Sequence, residues 1–181
     1  MEKWQILMEW SCDPEAVVIP EGDTDRLIDW LRDQPIETWH RVVMTWNYDY
    51  ANEALAWILQ QERCDKGTAA RVFLVEGLAY WLFDAAKNAG LANDEANVCR
   101  IVLKNWHRYR TSEFNHNYEV SEEMLNNVLS MRTEDYLVDT PLEEIMTYQG
   151  KHDAVSDYES SDGQIVVSMN VWMKSKGIGI S

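Results

Sequence analysis

The stretch TDRLIDWLRDQPIETWHRVVMTW, residues 24–46, decides the fold class. Its apolar residues recur three and four positions apart on both sides of Pro35, and this spacing places side chains on one face of a helix. Proline fits the first turn of a helix and ends whatever helix precedes it. The stretch therefore predicts two amphipathic helices that meet at Pro35, the first with Thr24 as its N-cap.

Helical spacing continues on the C-terminal side of this stretch. We expect a third helix that is capped by Asp49 and ends between Gln61 and Cys64, and a fourth that is capped by Thr68. The fourth runs from Ala69 to about Asn88. It is apolar nearly all round from Val72 to Phe83, which is typical of a central helix wrapped by others.

The second half of the chain predicts more helices and then a change of period. Helices are expected over 94–109, from Ser121 and from Pro141. After Gly163 the apolar residues alternate with a period of two as far as Met173, which indicates a strand. Ser160-Ser161-Asp162-Gly163 is typical of the turn of a hairpin with residues 154–158.

The predicted fold class is therefore mainly α. We expect a single helical domain of six or seven packed helices over residues 1–150. Residues 151–181 are expected to form an acidic linker and a small C-terminal β-hairpin packed on that domain.

Charge is the strongest guide to function. The 181 residues include 31 acidic and 16 basic side chains, which gives a net charge of −15. This balance argues against non-specific binding to nucleic acid or to anionic membranes, because both carry the same sign. The excess is concentrated in residues 119–163, where 12 acidic side chains face only Arg132 and Lys151. A basic protein partner, such as a toxin or another effector, is therefore expected, without a membrane or direct nucleic-acid contact.

Cysteines and the N-terminus favour a cytoplasmic location. Cys12, Cys64 and Cys99 are widely spaced and form no C-x-x-C pair. The first ten residues lack the basic start and apolar run of a signal peptide. The apolar stretch 72–83 is much shorter than the ~20 residues that a membrane-spanning helix needs.

Motifs for cofactors and metals do not occur in the sequence. None of the four histidines has the i, i+4 spacing of a zinc-binding helix, and there is no phosphate-binding glycine loop or nucleophile elbow. The acidic turn 157–163 departs from a calcium loop, because Ser168 stands where a bidentate glutamate is needed. We therefore expect no cofactor, no metal and no catalytic residues.

One enzymatic alternative remains open. Arg110 and His116 have the R-x(4–6)-H spacing and resemble the signature of HEPN-type ribonucleases, which are also helical. The resemblance implies that Arg110 holds the scissile phosphate and that His116 moves a proton, and both roles suit these side chains. The competing interpretation is an exposed basic stripe of Arg100, Lys104 and Arg108 that pairs with acids of the same chain.

A second resemblance covers roughly residues 27–83. The chain contains, in order, the turn Trp46-Asn47-Tyr48-Asp49, the segment Glu53-Ala54-Leu55-Ala56-Trp57-Ile58 and the segment Cys64-Asp65-Lys66-Gly67-Thr68-Ala69. This pattern, N-[WY]-D then L-x-W-I then C-D-x-G-T-A, resembles a bacterial helical domain family of unknown function. The resemblance implies a helical fold and no catalytic residues. The shared polar residues read as caps and turns, with Trp57 and Ile58 in the core.

These observations predict a non-catalytic protein-binding module. The hypothesis is a bacterial immunity-type protein of a toxin–antitoxin pair that neutralises a basic toxin domain through its acidic surface. An inhibitor of a nucleic-acid-guided defence complex would share the same features, as would a scaffold with a solvated acidic face. The expected contact residues are Asp135, Asp139, Glu143, Glu144, Asp153, Asp157, Glu159 and Asp162, with Trp172 either as an aromatic anchor or packed on the helices.

Overall fold

A computed structural model describes residues 3–48, 52–77, 98–110, 114–130 and 141–178 of the chain. These residues form a mainly α-helical protein with one small antiparallel sheet, and the predicted fold class is confirmed. Within the described ranges, no helix is long and apolar enough to cross a membrane.

The helices of the described residues are numbered in chain order. They are Lys3–Ser11 (α1), Thr24–Arg32 (α2), Ile36–Thr45 (α3), Glu53–Gln60 (α4), Lys66–Val72 (α5), Val98–Asn105 (α6), Glu122–Ser130 (α7), Leu142–Thr147 (α8) and Met169–Ser175 (α9). Short 3₁₀ turns lie at Pro14–Ala16 and Trp106–Arg108, and a π-helical turn at Phe73–Gly77 follows α5. The strands are Val17–Ile19 (β1), Tyr158–Ser161 (β2) and Gln164–Val167 (β3).

Aspartates, and not the predicted threonines, cap the helices α2 and α5. Asp23 caps α2 by accepting the amide of Arg26 at 3.2 Å. Asp65 caps α5 by accepting the amide of Gly67 at 2.7 Å. Thr24 and Thr68 were the predicted caps, and both lie inside the helices instead. Aspartate and threonine are both good N-caps, so the sequence alone did not show which of the two nearby residues caps each helix.

Other predicted helix bounds are met in part. The helix after Pro35 begins at Ile36, and those expected from Ser121 and Pro141 begin at Glu122 and Leu142. The predicted cap of the third helix was wrong: α4 begins at Glu53, and Asn52, not Asp49, stands at its N-cap position. Residues 78–97 lie outside the described residues, and with them most of the predicted central helix. The helix α1 was not predicted.

The C-terminal prediction needs a correction. The strand β3 ends at Val167, and residues 169–175 form a helix rather than the predicted continuation of the strand. Met169, Trp172 and Met173 are spaced three and four apart, so they satisfy the helical period as well as the alternation. The hairpin partner is Tyr158–Ser161, slightly later than the predicted 154–158.

The hairpin forms one side of a three-stranded sheet with the order β1-β3-β2. Strand β1, which was not predicted, pairs antiparallel with β3 through Val17 and Val166. The amides of Tyr158 and Ser160 in β2 donate to the hydroxyls of Ser156 and Thr45. These two amides of the edge strand are therefore not offered to another chain.

The chain divides into two compact units. The terminal unit comprises Met1–Tyr50 with Ala154–Ser181, and the central unit comprises Ala51–Asp153. The boundary between Asp153 and Ala154 lies close to the predicted boundary at residue 150. However, the first 50 residues belong with the C-terminal segment, because the sheet joins β1 to the hairpin.

Each unit has its own buried core. In the terminal unit Trp10, Val166 and Trp172 pack with Ala16 and Met173. In the central unit the core takes residues from α4, α5, α6 and α8, and Tyr109 donates its hydroxyl to the carbonyl of Leu59. Trp39, Trp46 and Trp106 are buried, and Trp57, which was predicted to lie in the core, is half-buried.

Candidate functional site

Three predicted contact residues of the central unit lie in the first turn of α8 and in the segment that follows it. Glu143 and Glu144 occupy the first turn of α8 and are exposed. Asp153 is exposed and accepts a hydrogen bond from the side-chain amide of Asn117 at 2.9 Å. These three predicted contact residues are therefore at the surface.

Glu144 is partly balanced within its own unit. Its carboxylate pairs with the Lys66 ammonium at 2.5 Å, and that ammonium lies 4.8 Å from the centre of the Trp106 ring. The hydrogen bond from Lys66 is the main reason why the pKa of Glu144 is lowered, and the Trp106 indole contributes less. Glu144 therefore adds less net negative charge to the surface than its position in the sequence suggested.

Further acids reach the surface that were not among the predicted contact residues, and two of them lie on α7. Glu122 and Glu123 are exposed in the first turn of α7, which packs against α8. Their signal was present in the sequence, since they belong to the acidic region 119–163. Asp135 and Asp139 lie outside the described residues.

Glu159 corrects the prediction for the terminal unit. Asp157 and Asp162 are exposed, but the side chain of Glu159 is only 9% exposed. Its Oε2 accepts hydrogen bonds from Nε and Nη2 of Arg41 at 3.2 and 2.5 Å, and Oε1 accepts the amide of Met169. An acid that is enclosed and paired in this way holds strands to helices and is not a contact residue for a partner.

Trp172 is likewise a core residue. It lies on α9 with 5% exposure, and its indole N–H donates to Oδ2 of Asp13 at 2.7 Å. Of the two readings of this tryptophan, the structure favours packing on the helices over an exposed aromatic anchor. The strand register that made it look exposed does not exist beyond Val167.

An exposed apolar face on α1 was missed by the sequence reasoning. Ile6 and Trp10 pack into the core of the terminal unit, whereas Trp4, Leu7 and Met8 are 64%, 50% and 58% exposed. The i, i+3, i+4 spacing of the exposed three was the available signal. Exposed apolar side chains grouped on one face are typical of interaction surfaces.

The ribonuclease alternative finds little support in the geometry. Arg110 forms a backbone bridge with Asp65. His116 is 4% exposed, its Nε2 lies 2.7 Å from the carbonyl oxygen of Tyr148, and its Nδ1 accepts the amide of Tyr118 at 3.1 Å. Burial lowers the pKa of His116, with a smaller contribution from Arg71. A ring whose two nitrogens already bond the backbone is not poised to transfer a proton to a substrate.

The basic stripe pairs within the chain in part. Arg108 lies 3.3 Å from the carboxylate of Glu62, and its other terminal nitrogen contacts Asn105. This agrees with the interpretation that the stripe meets acids of the same chain, although both partners are largely exposed and the pair contributes little to stability.

The segment Cys64–Ala69 is a structural helix start. Asp65 caps α5, and burial raises the pKa of the Cys64 thiol above its usual range. Burial also raises the pKa of Cys99, to about 12. Neither thiol is thus ionised near neutral pH, which makes both poor nucleophiles and poor metal ligands.

The described ranges were also predicted to hold no metal centre. They contain no group of three or more His, Cys, Asp or Glu side chains that could hold a metal ion. The acidic turn around Asp162 instead closes the hairpin between β2 and β3.

Part of the chain matches a known family model. Residues 34–109 match the model of a domain of unknown function, DUF4274. This confirms the predicted resemblance to a domain family of unknown function and shifts its bounds from 27–83 to 34–109. The match includes α3 to α6, and the exposed acids after residue 119 lie beyond it. Comparison with curated proteins and with solved structures finds no match.

Proposed function

We propose that this protein is a non-catalytic binding module, a bacterial immunity-type protein that neutralises a basic toxin domain through its acidic surface. The observation that carries the proposal is the exposure of most acidic side chains in the described part of the net-negative region 119–163. Toxins that act on nucleic acid present basic clefts, and an acidic partner is attracted to such a cleft by fast, salt-sensitive association.

The burial pattern narrows the set of contact residues. Glu143, Asp153, Asp157 and Asp162 are exposed and carry the proposed contact. Glu144 joins them in a minor role because Lys66 already pairs with it. Glu159 leaves the set, since its carboxylate is enclosed by Arg41.

The proposal also requires an apolar anchor, because charged rims steer association while buried aromatic residues supply most of the binding energy. Trp172 is not available as this anchor, because it is buried in the core of the terminal unit. Trp4 is the exposed tryptophan of α1, and Leu7 and Met8 extend the same face. We assign the anchor role to Trp4.

The test is co-purification from the native host. The tagged chain is used as bait at about 50 mM and about 500 mM salt, since surface charges are screened within a few ångströms at the higher concentration. The expected partner is a basic protein encoded beside this gene, recovered at low salt and lost at high salt. Recovery of no basic protein at low salt overturns the proposal.

Neutralising variants then locate the contact. Glu143→Gln with Asp153→Asn tests the central unit, and Asp157→Asn with Asp162→Asn tests the terminal unit. Asn at position 162 keeps the turn, because Asn tolerates its positive φ. We expect the association rate to fall about tenfold when both pairs are combined.

Matched controls separate this contact from general acidity. Asp25→Asn with Asp33→Asn removes the same charge from exposed positions on α2 and at its end. Trp4→Ala tests the anchor through the dissociation rate. A partner whose binding responds equally to the control pair favours the alternative of a solvated acidic scaffold. A partner that belongs to a nucleic-acid-guided defence complex favours the other alternative.

A further inference from the structure

Two segments of the central unit are joined side by side. The amide of Asn115 donates to the carbonyl of His152 at 2.9 Å, and the side chain of Asn117 donates to Asp153 at 2.9 Å. The ring of Phe114 meets the ring of His152 edge to face. Residues 114–118 and 148–153 are therefore held together by a small number of polar contacts.

His116 supplies the most enclosed of these contacts. The amide of Tyr118 is a donor, so Nδ1 of His116 accepts and carries no proton. In the neutral ring the proton then lies on Nε2, which donates to the carbonyl of Tyr148 at 2.7 Å. The neutral imidazole thus satisfies one main-chain group in each segment, and only this tautomer does so.

Protonation of the ring would remove one of these bonds. A proton on Nδ1 takes the lone pair that accepts the Tyr118 amide and sets two N–H groups against each other. The imidazolium would also be buried close to Arg71, whose guanidinium contacts the carbonyls of His116 and Asn117 at 3.4 Å. A buried charge next to a like charge is strongly disfavoured.

Other ionisable groups border the same place. Arg71 approaches from α5, and the phenols of Tyr118 and Tyr148 belong to the two segments. His152 and Asp153 lie in the second segment, where Asp153 is already bonded by Asn117. Burial opposes protonation most strongly, the hydrogen bond to the Tyr148 carbonyl favours it, and the nearby cation Arg71 opposes it.

We propose that His116 is a pH-sensitive clamp on the Tyr118 amide: protonation of Nδ1 releases this amide, while Nε2–H keeps its bond to the carbonyl of Tyr148. Burial and Arg71 lower the pKa of the ring, so the clamp is closed at neutral pH and opens in acid. The device belongs to the fold of the central unit and does not depend on the binding role proposed above.

Hydrogen exchange of the Tyr118 amide tests the clamp in the full chain. After correction for the intrinsic rate, we expect the protection factor of this amide to fall up to tenfold for each pH unit below the pKa of the ring. The amide of Glu159 in the terminal unit serves as an internal reference. Unchanged protection of the Tyr118 amide between pH 8 and pH 4 overturns the proposal.

The variant His116→Asn separates the ring from other acidic effects. The asparagine oxygen can take the place of Nδ1 and accepts the same amide without titrating. Protection of Tyr118 should then be independent of pH, whereas His107→Gln at an exposed position should behave as the unmodified chain. The same acid loss in His116→Asn would contradict the clamp.

A second measurement does not depend on any variant. The ¹⁵N resonances of the His116 ring should report a proton on Nε2 at pH 8, and their titration should coincide with that of the Tyr118 amide. A proton on Nδ1 at pH 8, or titrations with different midpoints, would contradict the proposal.

Discussion

The carbonyl oxygen of Phe114 lies so close to Gly67 that a β-carbon on this glycine would come within 2.1 Å of it. The same oxygen would lie 2.0 Å from a β-carbon on Gly150. The obstacle in both cases is main chain, which cannot rotate away as a side chain could. The glycine of the C-D-x-G-T-A pattern is therefore explained by the close approach of the backbone to the start of α5.

We expect Gly67→Ala and Gly150→Ala each to lower the free energy of unfolding by about 1–3 kcal/mol, the usual cost of overpacking. Urea denaturation followed by tryptophan fluorescence measures the change. Gly22→Ala is the control, since Gly22 has a φ of +78° and no atom within 4 Å of the added carbon. The loss of stability in this variant should come only from the strain of an alanine in the left-handed conformation, about 1 kcal/mol. A Gly67→Ala variant as stable as the unmodified chain would contradict the explanation.

The hairpin turn makes a second prediction. Asp162 and Gly163 both have positive φ, +46° and +74°, which is the geometry of a two-residue Asp-Gly hairpin turn. Gly163→Ala should destabilise the terminal unit by about 1–2 kcal/mol, because an alanine in the left-handed region is strained. Asp162→Asn should leave stability nearly unchanged. Thermal denaturation of both variants, compared with the unmodified chain, measures these effects. Equal losses of stability in the two variants would count against this turn type.

Local patterns predicted those elements whose determinants are close in sequence. The spacing around Pro35 gave α2 and α3, and the Asp162-Gly163 turn gave the hairpin, because caps, turns and apolar stripes act within a few residues. The strand β1 was missed because it has only three residues and is stabilised by pairing with β3, about 150 positions away in the chain.

The same limit applied to the candidate site. Charge density singled out the acidic region 119–163, but composition does not distinguish an exposed acid from one that pairs with an internal partner. Glu159 is separated by 118 positions from Arg41, and Glu144 by 78 from Lys66. Exposure of Trp4 and burial of Trp172 likewise depended on packing against distant residues, which a single sequence does not reveal.

The ion pair between Arg41 and Glu159 makes a third prediction. Arg41→Met should destabilise the protein by about 1–2 kcal/mol, because it leaves a nearly enclosed carboxylate with only the amide of Met169. The figure is reduced from that of a buried pair, since the Arg41 side chain is 41% exposed and screened by solvent. Urea denaturation measures it.

A double-mutant cycle isolates the pair itself. Glu159→Gln in the Arg41→Met background should cost less than Glu159→Gln alone, because the two residues share one interaction. Additive losses would show that the pair contributes through packing and not through charge. The exposed pair of Arg32 and Asp29 is the control, and its coupling should be smaller.

The last prediction concerns Asp13. Hydrogen bonds lower its pKa from 3.8 to about 2, first from the indole of Trp172, then from Lys176 and then from the amide of Glu15. A carboxyl whose pKa is lowered by folding stabilises the protein while it is ionised. This contribution is fully present above about pH 4 and is lost as the pH falls toward 2.

Trp172→Phe keeps a ring in the core and removes the donor to Asp13. We expect the pKa of Asp13 to move back toward 3.8, measured by the ¹³C shift of its carboxyl carbon during an acid titration. Asp13→Asn should be less stable than the unmodified chain at pH 6, and the gap should close as the pH falls, while Asp25→Asn controls for the loss of a surface charge. An Asp13 titration that is unchanged by Trp172→Phe would mean that Lys176, and not the indole, sets the acidity of this carboxyl.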